Sequence, residues 1–580
     1  MFKKLLPEGK GTKPLADAVR ACRWHFAMAA AFSAMVNLLY LTPTIYMMQI
    51  YDRVVPTGGL MTLIMITIVV VFALGCLALL DGLRTRLMVR AGLRLDRVLA
   101  STVLTRAISL QDNSGRSIQA LREFDNTRGA LAGPGVMALF DTPWTLIYLL
   151  FAFFLHPALG FLTLVGALLL CGLAALNERD SRPQLREAIS AQNRAYAAQE
   201  SIAAHFDVVR ALGMRRSMTS RQLDERETAT SANAHAQFTG GRYNGAIKFV
   251  RLALQSCALG LGALLTIEGH ISAGSIIAAS ILLSRAVAPI EQIVGAWPSL
   301  VQGRASWANL VNLFERTSGV DVERTMLPPP SGDLVLEGVS VRYNDGDSPQ
   351  LKNISFKLDP GQVLGVVGSS GSGKTTLARV IAGAQKCGLG KVRLDGADYE
   401  SWDGDQLARY IGYLPQGTVL FAGTIKDNIS RFAVAGGEDP VAVDFAAVTA
   451  AKAAGAHDVI QKLPGGYDAL LGPNGAGLSA GQAQRIGLAR ALYGAPKLIV
   501  LDEPNSALDQ DGESALMTAM TNAAGWGATI VVFAHRAGVL ARVDRLMVMR
   551  DGANALIGPR EEVLGQLRQN RSALDVTSAQ

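Results

Sequence analysis

Six stretches of this chain are apolar for about twenty residues at a time, long enough for a helix rising ~1.5 Å per residue to cross a hydrocarbon core ~30 Å thick. They run from Phe26 to Met48, Leu60 to Leu80, Val136 to Leu155, Pro157 to Leu176, Ala246 to Ile267 and Ile271 to Val294. Lipid offers no water to a bare backbone, so each is expected to be a spanning helix. The third and the last have the least certain edges, because they carry Asp141 and Thr142, and Arg285 and Glu291.

Lysine and arginine accumulate on the cytoplasmic side of a membrane. The leader carries Lys3, Lys4, Lys10, Arg20 and Arg23. The segment after the second window carries Arg84, Arg86, Arg90, Arg94, Arg97 and Arg106, and that after the fourth carries Arg179, Arg182, Arg194, Arg210, Arg215 and Arg216. These sides are expected to be cytoplasmic. The links around Asp52-Arg53-Val54, His156-Pro157 and Glu268-Gly269-His270 are short, as external turns would be. The two inner connections have helical charge spacing, much alanine and leucine, and few glycines or prolines, so they are expected to continue the spans as helix; solvated loops are the alternative. Arg251, Arg285 and Glu291 lie within spans, where a charge faces a cavity or snorkels to the interface.

At 580 residues the chain exceeds the ~250–300 at which one core stops growing. Only 18% of residues are charged, below the ~25% of soluble domains, which agrees with a lipid-embedded part. The net charge of +7 comes largely from arginines beside apolar runs, so membrane lipid accounts for it and no nucleic-acid partner is expected. Cys22, Cys76, Cys171, Cys257 and Cys387 form no short-spaced pair, which argues against a disulfide framework or a zinc site. The basic N-terminus lacks a small-residue cleavage site and reads as a cytoplasmic leader.

The expected divisions are a leader at 1–25, a six-span membrane domain at 26–315, a linker at 316–332, a soluble domain at 333–570 and a tail at 571–580. Leu327-Pro328-Pro329-Pro330-Ser331-Gly332 interrupts helix and marks the linker. Beyond it, short β-branched runs alternate with helical segments, the signature of a parallel sheet with helices on its faces.

Val363 to Val367 leads straight into Gly368-Ser369-Ser370-Gly371-Ser372-Gly373-Lys374-Thr375-Thr376, then a helix. Glycines let backbone N–H groups turn toward phosphate oxygens, the helix start adds a favourable dipole, and Lys374 neutralises the β- and γ-phosphates. Gly368, Ser369, Gly371, Ser372, Gly373 and Thr376 complete the loop, and Thr375 is expected to hold Mg²⁺. A second apolar run, Leu498 to Leu501, ends in Asp502-Glu503-Pro504. Asp502 suits Mg²⁺ and its water, and Glu503 can polarise an attacking water. ATP and Mg²⁺ are therefore the expected substrate and cofactor of this α/β P-loop domain.

In their order along the chain these residues resemble the ABC transporter superfamily over nearly the whole length. Leu478-Ser479-Ala480-Gly481-Gln482 is similar to its signature motif, with Ala480 where glycine is usual. Gln416 resembles the Q-loop glutamine, Ser506-Ala507-Leu508-Asp509 the D-loop, His535 the switch histidine and Tyr343 the residue that stacks on adenine. Singly, Tyr343 also fits strand core, His535 a loop and Ser479 a helix cap. The resemblance implies catalytic roles for Glu503, His535 and Gln416, the last also at the metal. It implies nucleotide contacts for Tyr343, Ser479, Ala480, Gly481, Gln482 and Asp509. It also implies ATP hydrolysis between two ATPase domains, hence a second copy of the chain or a different half-transporter as partner.

Gln49 to Pro56, Phe140 to Tyr148 and Ala278 to Pro289 further resemble the type I secretion transporters of Gram-negative bacteria, in the subgroup exporting proteases and lipases with a C-terminal signal. This implies an inner-membrane exporter of an unfolded protein, with ATPase domain and N-terminus cytoplasmic, a periplasmic adaptor and an outer-membrane channel. The leader is too short for a peptidase-like domain, so no cargo processing is expected. Gly472-Pro473-Asn474-Gly475 has proline where many exporters have glutamate, so no coupling role is expected there. A lipid or small-molecule exporter of the same architecture, or an ATP-gated channel or regulatory subunit, remains the alternative.

Overall fold

The computed structural model describes residues 9–109, 116–318, 324–342, 348–472 and 475–577. The chain divides into two compact units, Met1–Asp321 and Val322–Gln580.

The first unit is all helix: α1 (Lys13–Ala21), α2 (Arg23–Leu39), α3 (Thr42–Gln49), α4 (Leu60–Ser109), α5 (Arg116–Ala132), α6 (Pro134–Asp141), α7 (Trp144–Leu155), α8 (Pro157–Ala204), α9 (Arg215–Ile267), α10 (Ala273–Gly295) and α11 (Trp297–Arg316). Six segments among the described residues are long and apolar enough to cross a membrane; five contain the corresponding window read from the sequence, and the sixth, Ala273–Gly295, starts two residues inside its window. The long inner connections are helix: α4, α8 and α9 run 50, 48 and 53 residues without a break. The described part of the leader, from residue 9, is folded as well. Leu15, Ala16, Ala18 and Val19 bury one face of α1, joining Met88, Leu95 and Leu99 of α4 in one cluster through Leu15 and Ala18.

Two spans are interrupted. The first breaks at Tyr40-Leu41, and the third, expected as one helix from Val136, breaks at Thr142-Pro143. Proline has no N–H to continue the ladder and its ring crowds the preceding turn, so α6 stops at Asp141. The charges inside the spans find partners. Arg251 and Glu291 form an ion pair at 3.2 Å between α9 and α10, and the Arg285 guanidinium lies over the Tyr40 ring, 3.8 Å from its centre, a favourable stacking for a cation.

The second unit is α/β. Its strands are β1 (Leu334–Val341), β2 (Leu351–Leu358), β3 (Val363–Gly368), β4 (Leu389–Leu394), β5 (Ala397–Asp398), β6 (Ile411–Leu414), β7 (Gly423–Thr424), β8 (Leu470–Leu471), β9 (Leu498–Asp502), β10 (Thr529–Phe533), β11 (Arg545–Arg550) and β12 (Ala553–Pro559). The main sheet has the order β12-β11-β3-β10-β9-β6, with β11, β3, β10, β9 and β6 parallel. A four-stranded antiparallel sheet, β2-β1-β4-β5, lies beside it.

A parallel sheet covered on both faces wants continuous apolar strands, and β9 and β10 are buried at every residue. Their side chains alternate between two cores: Ile499, Leu501, Ile530 and Val532 enter one, Leu498, Val500, Val531 and Phe533 the other. Each such buried aliphatic side chain contributes about 1.5–3 kcal/mol. The Pro-rich stretch read as a linker carries neither helix nor strand, and the Asp395 carboxylate pins its end. It accepts hydrogen bonds from the amides of Ser331 (2.5 Å), Gly332 (2.9 Å) and Asp333 (2.8 Å) and from the Ser331 hydroxyl (2.8 Å).

Candidate nucleotide site

The site is built at the C-terminal ends of β3, β9 and β10, where parallel strands release their chains into loops. β3 ends at Gly368, and the loop after it opens helix α12 (Lys374–Ile381). The backbone here cannot be made with side chains. A Cβ on Gly368 would stand 2.6 Å from both the Met549 carbonyl oxygen and Ser372 Oγ, and one on Gly373, at φ +94, would stand 2.8 Å from the Gln350 carbonyl oxygen. Gly371 has φ +80 but open space around it.

Lys374 folds back over the loop, its ammonium donating to the carbonyl oxygens of Gly368 and Ser369, both at 2.8 Å. Burial holds the pKa of this ammonium below its ordinary value, against the opposing pull of Glu503 and Asp502. Thr376 is turned away, its hydroxyl meeting Gln350 Oε1 at 3.1 Å.

Asp502 closes β9 and is 1% exposed. Burial raises its carboxyl pKa, with the Thr375 hydroxyl bond and the nearby Arg379 and Lys374 charges pulling the other way. Its Oδ2 and Ser372 Oγ are buried and have no hydrogen-bond partner among the described residues. A buried acceptor without a partner costs about 1–3 kcal/mol. A divalent cation held by Asp502 and Thr375, beside phosphate on the loop, fits this donor set.

Glu503 adopts φ +51, a left-handed backbone that a residue with a Cβ rarely takes. Its N–H bonds to the Phe533 carbonyl of β10 at 2.9 Å, which keeps the turn tight while the side chain leaves the sheet. Two groups converge on its carboxylate. Gln416 Nε2 donates to Oε2 at 2.9 Å, and His535 Nε2 stands 3.5 Å from Oε1. Thus Gln416, Glu503 and His535, far apart in sequence, form one cluster.

The signature-like segment opens helix α13 (Ala480–Leu492). Ser479 and Gln482 form a reciprocal cap: Gln482 N–H donates to Ser479 Oγ at 3.3 Å, and Ser479 N–H to Gln482 Oε1 at 2.9 Å. Among the described residues no hydrogen bond joins Ser479, Ala480, Gly481 or Gln482 to loop 368–376. A Cβ on Gly481 would sit 3.0 Å from the Ala507 carbonyl oxygen. Asp509 caps helix α14 (Gln510–Gly525), accepting from Gly512 N–H at 2.8 Å and Arg485 at 2.7 Å; these two bonds hold its carboxyl below its usual range. Tyr343, Pro473 and Asn474 lie outside the described residues.

Sequence reasoning passed over Gln484. It is 4% exposed, donates to the Pro504 carbonyl at 2.6 Å and the Glu503 carbonyl at 3.3 Å, and accepts from the Ala507 N–H at 2.9 Å. It therefore welds α13 to the loop that aims Glu503. The available signal was a second glutamine two residues after Gln482, a spacing that places the two on different helix faces.

Comparison with known proteins agrees with this geometry. The family described as ABC transporter transmembrane region matches residues 26–289, and that described as ABC transporter matches residues 351–506. The type I secretion system ATP-binding protein PrsD of Rhizobium meliloti is 39% identical, over 97% of this chain and 95% of its own length. The cyclolysin secretion/processing ATP-binding protein CyaB of Bordetella pertussis is 29% identical, over 92% of this chain and 75% of its own. In fold, the chain matches a bacterial Atm1-family ABC exporter solved with ATP bound, with a TM-score of 0.82 at 22% identity, over 94% of this chain and 97% of that one.

Proposed function

The chain belongs to the ABC transporters, among the type I secretion ATP-binding proteins, and hydrolyses ATP to drive export across a membrane; we propose that it does so as a homodimer in the bacterial inner membrane. The proposed cargo is an unfolded protein with a C-terminal signal, passed on to a periplasmic adaptor and an outer-membrane channel. The N-terminus and the ATPase unit face the cytoplasm, as the arginine-rich inner connections favour.

The observation that carries this reading is the cluster at Glu503, where a carboxylate on a left-handed turn receives Gln416 and faces His535. Loop 368–373 and Lys374 bind the ATP phosphates by backbone amides and a positive charge. Glu503 orients and polarises the attacking water, Gln416 holds that carboxylate in place, and His535 stands ready to contact the γ-phosphate. Thr375, Asp502 and Gln416 would hold Mg²⁺, which when bound neutralises charge developing on the phosphates. Among the described residues Ser479, Ala480 and Gly481 at the start of α13 make no hydrogen bond to their own chain's loop, which suits a role against the phosphates held by a second copy, with Asp509 beside them. Ala480 adds one methyl there, small enough to be accommodated.

Glu503→Gln tests the reading. ATPase at background with ATP still bound and export abolished supports a pump; export unchanged without hydrolysis contradicts it. The cargo class is tested separately by adding a synthetic C-terminal peptide from a candidate secreted protein: a changed ATPase rate supports protein export, and response to lipids alone contradicts it.

A further inference from the structure

The third span breaks at Thr142-Pro143, and a buried polar cluster sits at that break. Asp141, the last residue of α6, is the centre. Its carboxylate accepts from Arg84 Nη1 at 2.9 and 3.1 Å, from Asn37 Nδ2 at 2.7 Å and from the Ser33 hydroxyl. The same guanidinium reaches Asp81 through Nη2 at 2.8 Å. The side chains of Arg84 and Asp141 are 10% and 11% exposed. Beyond the break, on α7, the Tyr148 hydroxyl donates to Asn37's carbonyl oxygen at 2.7 Å and lies 3.1 Å from its Oδ1. Asn37 therefore grips both sides of the interruption, through Asp141 before it and Tyr148 after it.

A helix broken by proline has lost the ladder that would keep it straight and is free to bend in several directions. Here the direction is imposed from outside, by α2 through Ser33 and Asn37 and by α4 through Arg84. A buried charge left without its partner is heavily penalised, so α6 cannot swing away from Arg84 without moving α4 too. Helix α4 crosses the cluster unbroken over its 50 residues, about 75 Å at ~1.5 Å per residue. A displacement at its far end reaches Arg84 without being absorbed by a hinge.

We propose that Asp141 is a positioning residue for transport: its carboxylate, placed on α6 itself, sets the bend of the third span and makes that bend follow α4. This rests on the ATP-driven export reading above. It requires the charge to sit on α6, and not merely somewhere in the cluster.

The test uses the full chain in nanodiscs, with its five cysteines replaced by alanine and spin labels at Leu121→Cys on α5 and Phe154→Cys at the end of α7, both exposed. The labelled positions are 33 residues apart and flank the break, so their separation reports the bend at Thr142-Pro143 together with that at Gly133. In the parent we expect one narrow distance that moves to another on trapping with ATP, magnesium and vanadate. In Asp141→Asn we expect ATPase within about twofold of the parent, with a broad distance that no longer moves. In Asn37→Asp/Asp141→Asn the carboxylate stays in the cluster but moves to α2; we expect the thermal midpoint to recover while the distance stays broad. Recovery of the narrow, moving distance in that double variant, or its persistence in Asp141→Asn, overturns the inference. Loss of ATPase well beyond about twofold in Asp141→Asn also overturns it, because the residue would then serve the whole fold. If Asp141→Asn does not accumulate, Arg84→Lys, which keeps the charge but cannot fork to both Asp81 and Asp141, is expected to give the same immobile distance with ATPase retained; a moving distance overturns the inference. A parent that hydrolyses ATP without any change in distance overturns the inference alone, whereas a parent that does not hydrolyse ATP overturns the export reading.

Discussion

Gln416 Nε2 donates to Glu503 Oε2 at 2.9 Å, joining the segment after β6 to the end of β9. The amide keeps the carboxylate from rotating freely on its turn. Glu503→Gln is expected to lower ATP hydrolysis by about 10²–10⁴-fold, the range for removing a general base, with ATP affinity close to that of the parent. Gln416→Ala leaves the base present but loosely held, so a smaller fall is expected. A coupled phosphate-release assay and equilibrium binding of a fluorescent ATP analogue check both.

Gln484→Ala orphans the carbonyls of Glu503 and Pro504 and the N–H of Ala507 inside the protein. A stability loss of about 1–3 kcal/mol is expected, together with slower hydrolysis, because the Glu503 turn loses its attachment to α13. Gln484→Glu, which offers no N–H to the carbonyls, should be at least as damaging. Thermal denaturation beside ATPase rates checks this, and an unaltered rate in a destabilised protein contradicts it.

Two glycine substitutions in the phosphate loop should differ sharply. Gly368→Ala drives a Cβ to within 2.6 Å of the Met549 carbonyl oxygen, which cannot move without disturbing β11. Gly371→Ala meets nothing within 4 Å and faces only a left-handed backbone, at about 1–2 kcal/mol. Isothermal titration with ATP is expected to show about tenfold or greater loss for Gly368→Ala and a smaller loss for Gly371→Ala.

Asp395 gives a pH signature. Burial works to raise its carboxyl pKa, but the bonds from Ser331, Gly332 and Asp333 prevail and hold it below the ordinary 3.8. Because the folded pKa is the lower one, the stabilisation is complete above pH 3.8 and is lost as pH falls through the depressed value. The group is exposed, so its worth is discounted to about 1 kcal/mol. Protection of the amides of Ser331, Gly332 and Asp333 against hydrogen exchange, relative to the intrinsic rate at each pH, should fall in acid in the parent and be low at every pH in Asp395→Ala.

The parts of the molecule governed by local spacing were legible in the sequence. Apolar runs of spanning length announced the six candidate spans, and the glycine pattern from Gly368 to Lys374 announced the tight loop between β3 and α12 because its steric demands lie within a few residues. What depended on distant partners was not. Asp141 and Thr142 left the edge of the third span uncertain, but nothing nearby named Arg84 and Asn37 as the groups that would hold Asp141. Glu503 was readable as a carboxylate at a strand end, whereas its left-handed backbone follows from the bond to Phe533 on a strand joined later in the chain. Gln484 escaped because its importance lies in backbone carbonyls and an N–H some twenty residues away, and Arg251 and Glu291, taken separately as charges in lipid, proved to be each other's partner.

The central claim is that two copies close over bound nucleotide to hydrolyse it. The direct measurement is the ATPase rate per chain in nanodiscs sorted by mass into those holding one copy and those holding two. The account predicts that two-copy discs hydrolyse ATP and one-copy discs are at background. Equal rates per chain in both would contradict it.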